Sequence, residues 1–277
     1  MPTAAQLSLN TATVREQWNL RQCVDGCVRH GIGGIAPWRD KLQEAGVSEG
    51  ARMIRDAGLT VTGHCRGGMF TADGALSQSV LDDNKRAVDE AVAIGAKCLV
   101  MVVGGLPNGS KDIDGARATV TKGLGKTLDY ARTVAMPIAI EPLHPMYAAE
   151  RACVNTMGQA LDICDQLDPD QTGAMGVACD VYHVWWDPDL DAQIKRAGKN
   201  RLLAFHICDW LVPTADMLLD RGMMGDGIID IPGIRQKVEA IGFDGLNEVE
   251  IFSAENWWKR DADEVLQTMV ERGASAC

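Results

Sequence analysis

The sequence predicts a single (β/α)₈ barrel over residues 1–277. Three observations carry that expectation. Eight short apolar segments alternate with longer amphipathic ones. The 277 residues fit the roughly 250 that one barrel needs. Polar, chemistry-bearing residues sit at the carboxyl ends of several different apolar segments, which is where barrels build their sites.

The predicted strands are 6–9, 33–37, 60–64, 98–103, 138–141, 175–180, 202–206 and 246–251. Each is a short apolar run with turn residues on its flanks. The segments between them repeat apolar residues three and four apart, as in Leu20, Cys23, Val24, Cys27 and Val28, or Val80, Ala87, Val88, Ala91 and Val92. That spacing buries one face of a helix. Helix starts are marked by Asn155 and Thr156 before Met157, and by Pro232 just after Asp230. Gly58, Gly95 and Gly242 each follow a helical run and precede a strand, where a left-handed residue ends the helix. The rival architecture is an open, doubly wound sheet. No G-x-G-x-x-G follows the first strand, so a dinucleotide-binding version loses support.

Composition bounds the partners. Hydrophobic residues make up 46 % of the chain, enough for one large core. The formal net charge of −11 argues against a nucleic-acid partner, whose phosphates need clustered Lys and Arg, and gives no support for an anionic membrane surface. No apolar run approaches the ~20 residues of a membrane span. The first ten residues lack a basic segment followed by an apolar one, so a cytoplasmic protein is expected. The nine cysteines are odd in number and include no C-x-x-C pair, which suits reduced, buried thiols.

The chemistry lies at the ends of strands five to eight: IAIEPLHP, GVACDVYH, AFHICD and EVEIFS. Each apolar run closes on a carboxylate or an imidazole. Glu141, Asp180, His206 and Glu250 would therefore converge on one barrel mouth. Bare carboxylates so placed repel one another, whereas a divalent cation satisfies them. One ion is expected, Mn²⁺ or Mg²⁺ by donor type, with Zn²⁺ and Co²⁺ as further candidates. Glu248 shares strand parity with Glu250 and competes for the fourth position.

These motifs resemble the xylose-isomerase-like barrel superfamily of sugar isomerases, epimerases and inosose dehydratases. The resemblance spans nearly the whole chain and is strongest from Ile138 to Ser253. It rests on Glu141-Pro142 as the IEP-type motif, Asp180 with His183 as D-x-x-H, and His206 with Asp209 as H-x-x-D. Gly242 through Glu250 supply the last-strand pattern ending in V-E, which favours Glu250 over Glu248. The superfamily also contains a DNA-repair endonuclease with three zinc ions. Two of that enzyme's histidines are missing here, where the chain reads VMVVGG and Asp220-Arg221-Gly222, so one metal is expected.

The resemblance implies a small sugar or keto-sugar substrate and a homo-oligomer. It also implies proton abstraction beside a carbonyl through a metal-stabilised enediolate, with Glu141 and Glu250 as the acid/base pair. Ketose epimerases carry EPLNxxE where this chain has EPLHPMY, so His144 and Tyr147 replace an Asn and a Glu. His144 is a candidate general acid or base. A dedicated acid would suit a lyase expelling a β-substituent from an inosose or 3-keto-glycoside, and that alternative stays open beside isomerisation and epimerisation. His183, His64, Arg221, Trp38 and Trp186 are the candidate substrate contacts. All seven tryptophans fall downstream of strand ends, and their faces suit sugar C–H surfaces. The stretch DRGMMGDGIID after strand seven is expected to form a lid, with Arg221 and Asp226 reaching substrate.

Overall fold

The computed structural model describes residues 1–277. The main sheet is parallel throughout, and its strands lie in chain order around the barrel. They are β1 (Leu7–Asn10), β2 (Gly34–Ala36), β3 (Thr60–Val61), β4 (His64–Gly68), β5 (Leu99–Val102), β6 (Ile138–Ile140), β7 (Met175–Asp180) and β8 (Leu202–Ile207). The last, β11 (Asn247–Val249), pairs with both β8 and β1. All eight predicted strands are present. The third is broken in two, with β3 bonded to β2 and β4 to β5. A bridge between Trp38 and Cys65 closes the circle. Two short strands, β9 (Asp209–Trp210) and β10 (Arg221–Gly222), form an antiparallel ribbon outside the barrel sheet.

Helices α1 (Leu20–His30), α2 (Arg39–Ala45), α3 (Val47–Asp56), α4 (Gln78–Ile94), α5 (Ile113–Thr133), α6 (Met157–Leu167), α7 (Val181–Val184), α8 (Leu190–Arg201), α9 (Ile231–Ala240) and α10 (Ala262–Ala276) follow the strands. The predicted caps hold. Thr156 accepts from Gln159 N, and Asp230 from Gly233 N, with Pro232 in the first turn. Gly95 ends α4 at φ 69°. The main apolar core is contiguous and contains both strand and helix residues. A smaller cluster of mostly small side chains, Cys65, Cys98, Val100, Ala139, Ala178 and Ala204, includes one or two residues from each of five strand segments. All nine cysteines are free and buried. No helix is long and apolar enough to cross a membrane.

The break in the third strand shapes the mouth. The predicted strand ended at His64, but the chain runs on to Gly68, with a register shift between Cys65 and Gly67. A bulge of this kind re-aims side chains. The extension is clamped by Asn84 of α4, whose Oδ1 accepts from Gly68 N (2.6 Å) and whose Nδ2 donates to Gly68 O (2.9 Å). Gly68 sits at φ 105°, and a Cβ there would lie 2.0 Å from Val102 O, so only glycine fits.

Candidate metal centre

Glu141 follows β6, Asp180 closes β7, His206 lies in β8 and Glu250 follows β11. Backbone bonds from Glu141 N to Met101 O (3.1 Å) and from Glu250 N to Ile207 O (3.2 Å) extend the ladder and hold both residues in place. One ligand atom from each of the four lies within 4.8 Å of the others. All four are buried, Asp180 and His206 completely. His206 Nδ1 is 2.9 Å from Glu141 Oε1.

Burial pushes the Asp180 and Glu250 carboxyls above the usual carboxylate range. Repulsion from Glu250 adds to the effect at Asp180, and repulsion from Glu141 adds to it at Glu250. Burial alone would keep His206 neutral, but Glu248, Glu141 and Glu250 together raise it well above its ordinary value. The cluster therefore needs positive charge. Three carboxylates and one imidazole at these separations fit a divalent ion.

Arg221 supplies part of that charge. From β10 its Nη1 donates to Asp180 Oδ2 (3.1 Å) and Glu250 Oε2 (3.2 Å). Its guanidinium lies over Tyr182 (4.4 Å) and Phe252 (5.0 Å). His183 is also buried here, with Nε2 3.6 Å from Asp180 Oδ2 and 3.2 Å from Arg221 Nη2. Burial, then the Arg221 charge, holds it well below its ordinary value and so neutral. Its Nδ1 faces the His144 N–H (3.2 Å) and its Nε2 faces the Arg221 guanidinium, two groups that only donate, so the neutral ring accepts from one of them.

Glu248 stands beside His206 but outside the four, with Thr62 as its own donor and Asn10 shared with Glu250. It accepts from Asn10 Nδ2 (2.8 Å) and Thr62 Oγ1 (2.6 Å), and its Oε1 is 3.4 Å from His206 Nε2. Asn10 Nδ2 also donates to Glu250 Oε1 (2.9 Å).

A narrow cavity opens on the cluster. Its wall includes Glu141, Glu250, Arg221, His183 and Trp38, all anticipated, and Arg66, Tyr147 and Arg151, which sequence reasoning did not nominate. Two nominated histidines are elsewhere. His64 faces outward, with Nδ1 2.9 Å from Pro37 O and Nε2 3.4 Å from Glu90 of α4, because the strand continues beyond it. His144 caps the turn Pro145–Tyr147, accepts from Met146 N, and packs its ring on Trp186 and Trp210 at 5.6 and 5.1 Å. It does not line the cavity, and neither does Trp186, whose Nε1 donates to His183 O (2.8 Å).

The glycine-rich stretch is held by Asp209. One buried carboxylate accepts from the backbone N–H groups of Trp210, Gly225, Gly227 and Ile229. Asp226 accepts from Met223 N and lies 3.5 Å from Arg272, away from the cavity wall.

Residues 24–269 match the family model described as xylose isomerase-like TIM barrel. The chain belongs to the xylose isomerase-like TIM barrel family. Within that setting it is similar to an inosose isomerase of Bacillus velezensis, 24 % identical and covering 96 % of this chain and 95 % of the relative. A crystallised protein of Sinorhizobium meliloti 1021 is 60 % identical, with a TM-score of 0.94 and 98 % of each chain covered. A structure of IolI with a bound zinc shares the fold at 21 % identity and a TM-score of 0.81, covering 97 % of this chain and 96 % of that one.

Proposed function

We propose that this chain is a divalent-metal-dependent isomerase or epimerase of a sugar-like carbonyl compound. The observation that carries the reading is the convergence of Glu141, Asp180, His206 and Glu250 on one buried point at the floor of a cavity. Asp180 and His206 are sealed from the cavity and serve as ligands only. Glu141 and Glu250 line it as well, so they are the carboxylates placed to take a proton from the carbon beside a carbonyl and to return it. Bound among the four, a divalent ion supplies Lewis-acid polarisation of the carbonyl. Mn²⁺ or Mg²⁺ suits three carboxylates best, and the zinc of the IolI structure keeps Zn²⁺ in view.

Arg221 offers N–H groups to substrate oxygens, with His183 beside it on the cavity wall. Trp38, Leu143 and Phe252 form an apolar wall that suits C–H faces and keeps water out. Similarity to the inosose isomerase over nearly its whole length supports the reaction class. β-Elimination would need its own general acid, and His144, the candidate in the sequence, is not on the cavity wall, so isomerisation or epimerisation is the reading put forward.

The test is solvent-deuterium incorporation into free ketoses, inososes and 3-keto-sugars by metal-loaded and chelated protein. Metal-dependent exchange at the carbon next to the carbonyl, with the substrate skeleton intact, is the expected result. Loss of water or an aglycone would replace the isomerase reading with elimination.

A further inference from the structure

The half-buried and buried arginines of this chain are almost all paired. Arg39 holds Asp83 and Glu90, Arg201 holds Asp168, Arg235 holds Glu239, and Arg221 holds Asp180 and Glu250. Arg66 and Arg151 break the pattern. Both line the cavity beside Glu141 and Glu250, yet neither side chain has an ion pair or a hydrogen bond. The chain has 38 acidic residues against 27 basic ones, so carboxylates are not scarce.

Both guanidiniums hang from a fixed backbone. Arg66 is delivered by the bulge in β4, whose end is clamped by Asn84. Arg151 donates its N–H to Tyr147 O (2.9 Å) and accepts from Gly104 N (3.0 Å), and its guanidinium lies 5.9 Å from the centre of the Tyr147 ring. Burial, then the neighbouring Arg151 charge, lowers the Arg66 pKa from its ordinary value. Two desolvated like charges held together are costly unless an anion joins them.

We propose that Arg66 and Arg151 form an anion subsite of the cavity, so that the substrate is a small carbonyl compound carrying a carboxylate or a phosphate. This deepens the functional reading above and rests on it only in placing substrate in the same cavity. Guanidinium groups bind either anion through paired N–H donors. The charge balance agrees. Around the cavity and beneath it stand four carboxylates (Glu141, Asp180, Glu248 and Glu250) and three guanidiniums (Arg66, Arg151 and Arg221). A divalent ion would leave one positive charge in excess, which a substrate anion cancels.

The test titrates the whole chain with inorganic phosphate and, separately, with acetate, by calorimetry and thermal shift. Chelated and metal-loaded samples are compared for wild type, Arg66→Gln, Arg151→Gln and the surface control Arg55→Gln. At least one anion should bind wild type saturably in both states, more tightly with metal. Binding should weaken about tenfold or more in either cavity variant and stay unchanged in the control. Preference for phosphate assigns a phosphorylated substrate, and preference for acetate assigns a carboxylate. Arg66→Lys and Arg151→Lys keep the charge but lose the fork, so they should fall between wild type and Gln, and they serve if a Gln variant does not fold. Absence of binding by wild type, or binding by both cavity variants as tight as wild type, overturns the proposal. Metal content measured on the same samples separates this failure from that of the functional reading, because the chelated arm reads Arg66 and Arg151 without any metal.

Discussion

Replacing Arg221 with Met removes the one cation that touches the cluster while keeping an apolar side chain of comparable length. In the wild type its Nη1 lies 3.1 Å from Asp180 and 3.2 Å from Glu250, all three groups being buried. Deleting one partner of such a pair leaves uncompensated buried charge and costs about 3–5 kcal/mol. Loss of the contacts to Tyr182 and Phe252 adds on the order of 1 kcal/mol. For a domain of this size each kcal/mol moves Tm by roughly 2–4 °C, so the chelated variant should melt about 8–24 °C below chelated wild type. A divalent ion restores countercharge to Asp180 and Glu250, so with metal present the gap should shrink to a few degrees. The assay is a thermal melt of both proteins with chelator and with metal. An equal gap in the two conditions, or a chelated variant as stable as wild type, would refute the idea that Arg221 and a metal neutralise the same carboxylates.

Three further outcomes follow from neighbouring contacts. Glu90 is pulled down to about 2, burial opposing and the His64, Arg39 and Gln43 hydrogen bonds prevailing. A depressed carboxylate contributes stability that is full above its ordinary value of 4.5 and is lost as pH falls towards 2. Glu90→Gln should cost about 1–2 kcal/mol at pH 7, screening included, with the gap narrowing below pH 4.5 in acid melts. In Asp209→Asn only one oxygen remains to accept four backbone N–H groups. Hydrogen exchange should therefore quicken at Gly225, Gly227 and Ile229, with KM rising more than kcat falls, because the loop carries Arg221. His144→Ala should lose about 1 kcal/mol of packing on Trp186 and Trp210 and leave deuterium exchange within about threefold of wild type, a change of under 1 kcal/mol in the barrier. A drop of a hundredfold would return His144 to the chemistry.

The four cluster residues were legible because each ends an apolar run, and a charged group in that position needs a reason in the sequence itself. Parity alone did not separate Glu248 from Glu250. Their donors did, since Thr62 donates to Glu248 alone while Asn10 serves both carboxylates. His64 was misplaced because nothing in T-V-T-G-H announces that the strand resumes after Gly63 and runs to Gly68. The same bulge hid Arg66, which reads from sequence as a loop cation. His144 looked catalytic through adjacency to Glu141, but the turn at Pro145 swings the ring onto two distant tryptophans, and that geometry depends on packing from α7 and β9. Arg221 was foreseen as a substrate contact. Its pairing with two of the cluster carboxylates depends on the β9–β10 ribbon, two residues on each strand, too short to announce itself in periodicity.

The most direct test is metal stoichiometry. Chelated wild type, titrated with Mn²⁺, Mg²⁺ and Zn²⁺ and then analysed for bound metal after gel filtration, should retain one divalent ion per chain. Glu141→Gln, Asp180→Asn, His206→Ala and Glu250→Gln should each weaken that binding strongly, while Glu248→Gln retains it. No bound metal, three ions per chain, or full retention by the four variants would contradict the account.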